Sequence, residues 1–108
     1  MKRPPRVRIL GKVHQVEYLP VGHADLKADG DDTFAGRIDH DAQRIIIEDG
    51  QTLASEQDTL LHEVMHGVER AMDLDVQETV VHRFATGLLA VLKDNPTFVR
   101  YLAANKKD

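Results

Sequence analysis

The chain is expected to fold as an α+β domain, a small antiparallel sheet of three or four strands followed by three helices. Two observations carry that expectation. Short β-branched and aromatic runs, broken by Gly, Pro and Asp, fill the first half of the sequence. In the second half the apolar residues recur three and four positions apart, the spacing of one helix face. The 108 residues, 42% apolar and 30% charged, suit a single globular domain spanning 1–108. With three Phe, two Tyr and no Trp, its core must be mostly aliphatic.

Residues 1–6 (MKRPPR) read as a basic, solvated tail, kept out of regular structure by Pro4 and Pro5. Val7 and Ile9 predict a first strand ending in a turn at Gly11, and His14–Leu19 predict a second, closed by Pro20. Residues 20–33, rich in Gly and Asp, predict a loop. Phe34–His40 and Arg44–Glu48 predict two further strands joined by Asp41-Ala42-Gln43. The consecutive Ile45, Ile46 and Ile47 mark the last as well buried, and Asp49-Gly50 ends it. Ser55-x-x-Asp58 predicts the capped start of a first helix, which Leu61, Val64, Met65, Val68 and Met72 extend. Asp75-x-x-Glu78 predicts a second start, followed by the apolar face Val80, Val81, Phe84, Leu88, Val91 and Leu92. Asn95-Pro96 opens a short third helix carrying Phe98, Val99 and Leu102.

Composition excludes several functions. Fourteen Lys and Arg against 18 Asp and Glu give a net charge of −4, the wrong sign for a nucleic-acid footprint or a polybasic membrane patch. The longest apolar run, Leu88–Leu92, is far too short to span a bilayer. The basic N-terminus lacks the apolar stretch of a secretory signal, so a cytoplasmic location is expected. The absence of Cys removes disulfides, thiolate catalysis and Cys-ligated zinc. The sequence leaves the oligomeric state open.

The chemistry lies in His62-Glu63-Val64-Met65-His66, an H-E-x-x-H string. Residues four apart lie one turn apart on the same helix face, so two imidazoles so placed can bind one cation. A Glu beside the first His can then take a proton from a metal-bound water. With Leu61 at zero and about 100° per residue, the apolar face centres near zero and the two histidines fall at roughly 100° and 140°, on its flank. At this His and Glu content the string arises by chance in about 2 such chains in 100. The plain alternative is two surface histidines on an amphipathic helix. The helical context, read from the apolar residues alone, weighs against it.

A zinc site of this kind needs a third protein ligand and an open position for water. A third His six residues after the second is excluded, because Met72 stands there. Glu69, Asp73, Asp75, Glu78 and His82 remain. Glu69 shares a helix with the histidines and would crowd the ion. Glu78, in the first turn of the next helix, is favoured as the ligand, although the third position of a cap at Asp75 would also account for it. His82, one turn on, is the runner-up, or else a partner behind a ligand or a transition-state donor. Asp29, Asp31 and Asp32 around Gly30 lack the twelve-residue calcium pattern and read as a solvated acidic turn. His14, His23 and His40 read as surface histidines.

The stretch TLLHEVMHGVERAMDLDVQETVVHRFATGLLAVL resembles the small single-domain H-E-x-x-H metallopeptidases of phage and prophage genomes. These are minimal gluzincin-like proteins, similar to the metallopeptidase domain of the ImmA/IrrE type. His62, Glu63 and His66 match the family's first motif, and Glu78 with Phe84-Ala85 its second. The gap between His66 and Glu78 is shorter here, and the Ala-Asn pair before Phe-Ala is missing. The resemblance, over about residues 50–93, implies a zincin-like fold with H-E-x-x-H on the first helix and a Glu ligand from the next.

These readings combine into an expected zinc metallopeptidase acting on a peptide or protein, with His62, His66 and Glu78 as ligands and Glu63 as general base. The strands around Phe34–His40 or Arg44–Glu48 are expected to offer an edge to an extended substrate. The competing reading is a non-catalytic metal-binding interaction module, such as a phage accessory protein, because so short a chain has little material for a cleft or lid. Retention of Glu63 beside the ligands favours the enzyme.

Overall fold

A computed structural model describes residues 2–26 and 35–105. Its architecture is α+β, a four-stranded mixed sheet with the first of three helices packed on it. The strands are β1 (Arg6–Ile9), β2 (Lys12–Leu19), β3 (Gly36–Asp39) and β4 (Arg44–Glu48). The helices are α1 (Leu53–Ala71), α2 (Glu78–Asp94) and α3 (Pro96–Ala103). The acidic turn expected at 29–32 and Phe34 lie outside the described residues.

The order across the sheet is β1-β2-β4-β3. β1 and β2 form a hairpin whose two turn residues, Leu10 and Gly11, both have positive φ, at 46° and 88°. That backbone twist matches the twist of the flanking strands. β3 and β4 form a second antiparallel hairpin. β4, however, runs parallel to β2, with Gln15 opposite Arg44 and Leu19 opposite Glu48. The expectation of an all-antiparallel sheet is therefore corrected. A parallel pair needs a crossover of a dozen or more residues, and the segment between β2 and β3 supplies that length.

The central place of β4 explains its sequence. Ile45 and Ile47 are fully buried with Ile9 and Val16, and Leu60 and Val64 of α1 pack on this cluster. Ile46 faces the other way, as alternation requires, and is buried too. The loop after β2 makes one 3-10 turn, Ala24–Leu26, that packs on β4 and places Leu26, also fully buried, beneath the sheet. Each such side chain removed from water contributes roughly 1.5–3 kcal/mol.

Two glycines set α1 close to the sheet. A Cβ on Gly36 would stand 2.5 Å from the Thr59 methyl, and one on Gly67 2.6 Å from Ile9 Cδ1. The close approach brings the middle of α1 beside the edge strand β3, and the functional side chains lie there.

The helix starts differ from expectation. α1 begins three residues early because Thr52, not Ser55, is its cap, and Thr52 Oγ1 accepts the Ser55 N–H at 3.2 Å. α2 is capped at Gln77 without a side-chain bond, so Asp75 forms no capping box and Glu78 is the first helical residue. α3 opens at Asn95-Pro96 as expected, but the Asn95 side chain donates back to the Val91 carbonyl at the end of α2.

The basic tail is also tied down. Arg3 pairs with Asp49 and with buried Glu56, and its guanidinium lies 4.5 Å above the Tyr18 ring. His14 is buried on β2, with Nδ1 3.1 Å from the Lys12 carbonyl, and is not the surface histidine its sequence position suggests. Among the described residues, no helix is long and apolar enough to cross a membrane.

Candidate metal centre

His62 and His66 stand one turn apart on the flank of α1, and the short link from α1 to α2 turns Glu78 back over them. Because Glu78 is not occupied in a cap, its carboxylate is free to face the two rings. Its Oε1 lies 2.7 Å from His62 Nε2, and its Oε2 lies 2.9 Å from His66 Nε2. The two Nε2 atoms are 3.0 Å apart. Among the described residues, His62, His66 and Glu78 form the group whose donor atoms converge closely enough for one cation.

The donor set can be tested against a metal. Zinc bonds of 2.0–2.1 Å at tetrahedral angles separate ligand atoms by about 3.3 Å. The separations here run from 2.7 to 3.0 Å, with each histidine facing a different oxygen of Glu78, so the side chains must move outward by roughly 0.3–0.6 Å to admit the ion. Two imidazoles and a carboxylate are borderline donors of the kind that suit zinc and its transition-metal neighbours.

Electrostatics favour ligation through a neutral His62 ring. Burial lowers the His62 pKa, which keeps its Nε2 lone pair available, although Glu78 acts in the opposite sense. Behind His66, Nδ1 lies 3.0 Å from Glu69 Oε1, and Glu69 Oε2 accepts the Val76 N–H at 2.9 Å. That N–H and the His66 ring hold Glu69 below the usual carboxylate range. A charged Glu69 accepts the Nδ1 proton and leaves Nε2 bare for a cation. His62 has no such support, and its Nδ1 is buried without a hydrogen-bond partner among the described residues.

Glu63 is buried, and burial pushes its pKa from 4.5 up to about 7, with His66 and, less strongly, Arg37 opposing the shift and the charge of Glu78 adding to it. It lines an open cleft of about 640 Å³ with the three donors, Arg37 and His82. His82 meets His62 edge to face, ring centroids 5.5 Å apart, but has no donor atom in the convergent group. Of the two candidates for third ligand, Glu78 is the one in reach. Glu69, expected only to crowd the ion, supports the His66 ring instead. Its i+3 spacing from His66 was the available signal.

The cleft's other wall is β3, whose residues Gly36, Arg37 and Ile38 line it together with Ala35. β3 is the sheet's edge strand, paired on one side by β4 and, among the described residues, by nothing on the other. In comparison with known proteins, no family model, no curated protein and no solved structure matches the chain.

Proposed function

We propose that the chain is a zinc-dependent metallopeptidase with a zincin-like, minimal gluzincin arrangement, acting on an extended peptide or protein segment. The observation that carries the reading is the meeting of His62, His66 and Glu78 from two helices, with buried Glu63 in the same cleft. The cation, when bound, supplies Lewis acidity, polarising a carbonyl oxygen and acidifying a water.

The chain's own groups account for the rest. His62 and His66 offer Nε2, and Glu78 offers its carboxylate oxygens from the neighbouring helix. Glu69 holds the His66 ring and its tautomer. A carboxyl with a pKa of about 7 is matched to proton transfer near neutrality. Its Oε takes a proton from the attacking water and returns it to the leaving amine nitrogen. The free edge of β3 offers main-chain N–H and C=O groups to an extended substrate, which would lie along one wall of the cleft. His82, which lines the same cleft, is the candidate donor to a developing oxyanion.

The test is metal content and peptidase activity measured together. The purified chain is expected to hold about one zinc, and His62→Ala and His66→Ala to lose it. Glu63→Gln should keep the zinc and lose about 10²–10⁴-fold in turnover of a fluorogenic peptide library. Full zinc occupancy in both histidine variants would discard the site. Unchanged turnover in Glu63→Gln would discard the enzyme and leave the metal-binding interaction module.

A further inference from the structure

We propose that Arg37 selects the substrate: the segment bound at the free edge of β3 carries an acidic side chain, Asp or Glu, opposite Arg37 and none at the positions on either side. The inference rests on the reading of the cleft as a peptidase site and names the substrate class of that site.

The register of β3 fixes which groups a bound segment meets. The Glu48 N–H donates to the Ala35 carbonyl at 2.8 Å, and Arg37 stands opposite Ile46. Antiparallel pairs alternate between those that exchange hydrogen bonds and those that do not. Ala35, Arg37 and Asp39 therefore direct their N–H and C=O groups at β4, while Gly36 and Ile38 direct theirs at the free edge. An extended segment hydrogen-bonds to Gly36 and Ile38, and its residue opposite Arg37 lies between them. Side chains of opposed residues share one face of a sheet. Gly36 and Ile38 face α1, since a Cβ on Gly36 would stand 2.5 Å from the Thr59 methyl and one on Gly67 3.3 Å from Ile38 Cδ1. Arg37 leaves on the other face, with Ile46.

Charge then separates the two faces. On the helix side the cleft is lined by Asp58, Glu63 and Glu78. An acidic substrate side chain turned that way meets like charge and competes with water for the cation. Turned the other way it meets Arg37, the one Lys or Arg among the residues lining the cleft. The Arg37 charge also reaches Glu63, where it opposes the rise in pKa, so the guanidinium stands near the proposed general base.

This guanidinium is exposed, and it is held in place with most of its donors open. Nη1 donates to the Asp25 main-chain carbonyl at 3.3 Å. The Asp25 carboxylate is engaged elsewhere, accepting from Arg44 Nη2 at 3.0 Å. Arg3, Arg44 and Arg70 each pair with a carboxylate, whereas Arg37 pairs with none among the described residues. Of its five N–H groups, those left open can donate to both oxygens of one carboxylate. An edge charge that served only to discourage strand pairing would show no preference among bound segments.

Glu scanning of peptides tests the proposal. Short amidated peptides with Glu at each position in turn, and Gln as the matched control, are offered in competition to the zinc-loaded chain, and cutting is read by mass spectrometry. Binding of the same peptides is read by fluorescence anisotropy on zinc-loaded Glu63→Gln. Glu at one position relative to the cut bond should raise kcat/KM about tenfold over Gln, and Glu at the positions beside it should lower kcat/KM. Binding should favour the same peptide by a similar factor. Arg37→Gln should abolish that gain, and Arg37→Glu should transfer it to Lys at the same position. Arg37 is exposed, so both variants should keep the wild-type far-UV circular dichroism. Glu and Gln treated alike at every position, a Glu gain that survives Arg37→Gln, a preference that follows a free C-terminus instead of the Glu, or binding of no peptide would each overturn the proposal. Peptides bound with the Glu preference but left uncut would keep the role of Arg37 and discard the peptidase.

Discussion

Glu69 holds His66 from behind. One carboxylate oxygen lies 3.0 Å from the Nδ1 of the ring while the other accepts the Val76 N–H, so the side chain clamps the end of α1 to the link that leads into α2. The same group thus sets the tautomer of one proposed ligand and steadies the segment that delivers another, Glu78. Glu69→Gln should bind zinc about 10–100-fold more weakly than the wild type, the range for loss of a charged partner behind a ligating histidine. Competition with a chromophoric chelator measures this. The loss should appear in affinity and leave the stoichiometry at saturation unchanged. Equal affinity in the variant would show that His66 needs no orienting partner.

Glu63 sets a pH dependence of stability in the metal-free protein. Its folded-state pKa of about 7 lies above the ordinary 4.5, so the folded chain binds this proton more tightly than the unfolded chain. The resulting stabilisation is complete below pH 4.5 and is lost as the pH rises through about 7. Over that window the difference in unfolding free energy between wild type and Glu63→Gln should fall by on the order of 3 kcal/mol. Urea denaturation in the presence of a chelator, repeated at four or five pH values, reads the difference directly. A difference independent of pH would mean that Glu63 titrates as an ordinary exposed carboxylate.

Much of this fold was legible because local rules governed it. The helical spacing of Leu61, Val64 and Val68 located α1, and Asn95-Pro96 located α3. The Ile45-Ile46-Ile47 run identified a well-buried strand, and β4 proves to be buried on both faces. The same run held the clue to the error in topology. A continuous apolar strand is the pattern of a parallel neighbour with both faces covered, and β4 does lie parallel to β2. What local pattern cannot supply is which strand the β3–β4 hairpin docks against, since that depends on a crossover and on Leu26 closing the far face. At the candidate site, helix periodicity sufficed to bring His62 and His66 together. Glu78 was harder, because the Asp75 cap that competed for it does not form. Its meeting with the histidines depends on the angle at which α2 returns across α1, which no spacing in the sequence encodes.

Gly36 is the point at which the edge strand and α1 touch, and its replacement tests whether their closeness is required. The Cβ of Gly36→Ala would stand 2.5 Å from the Thr59 methyl and 3.3 Å from both the Ile46 carbonyl and Ile47 Cδ1. Thr59 cannot simply rotate away, because its hydroxyl donates to the Ser55 carbonyl at 2.9 Å, with Gln51 Oε1 a second acceptor at 3.1 Å for the same proton. The strand or the helix must shift, at a cost of about 1–3 kcal/mol, typical of overpacking. Thr59→Ser deletes the methyl while keeping the hydroxyl, so the double variant should recover most of the loss. A double-mutant cycle by urea denaturation isolates the coupling. If Gly36→Ala costs as much beside Ser as beside Thr, the methyl contact is not what demands glycine, and the shift must originate at the β4 backbone.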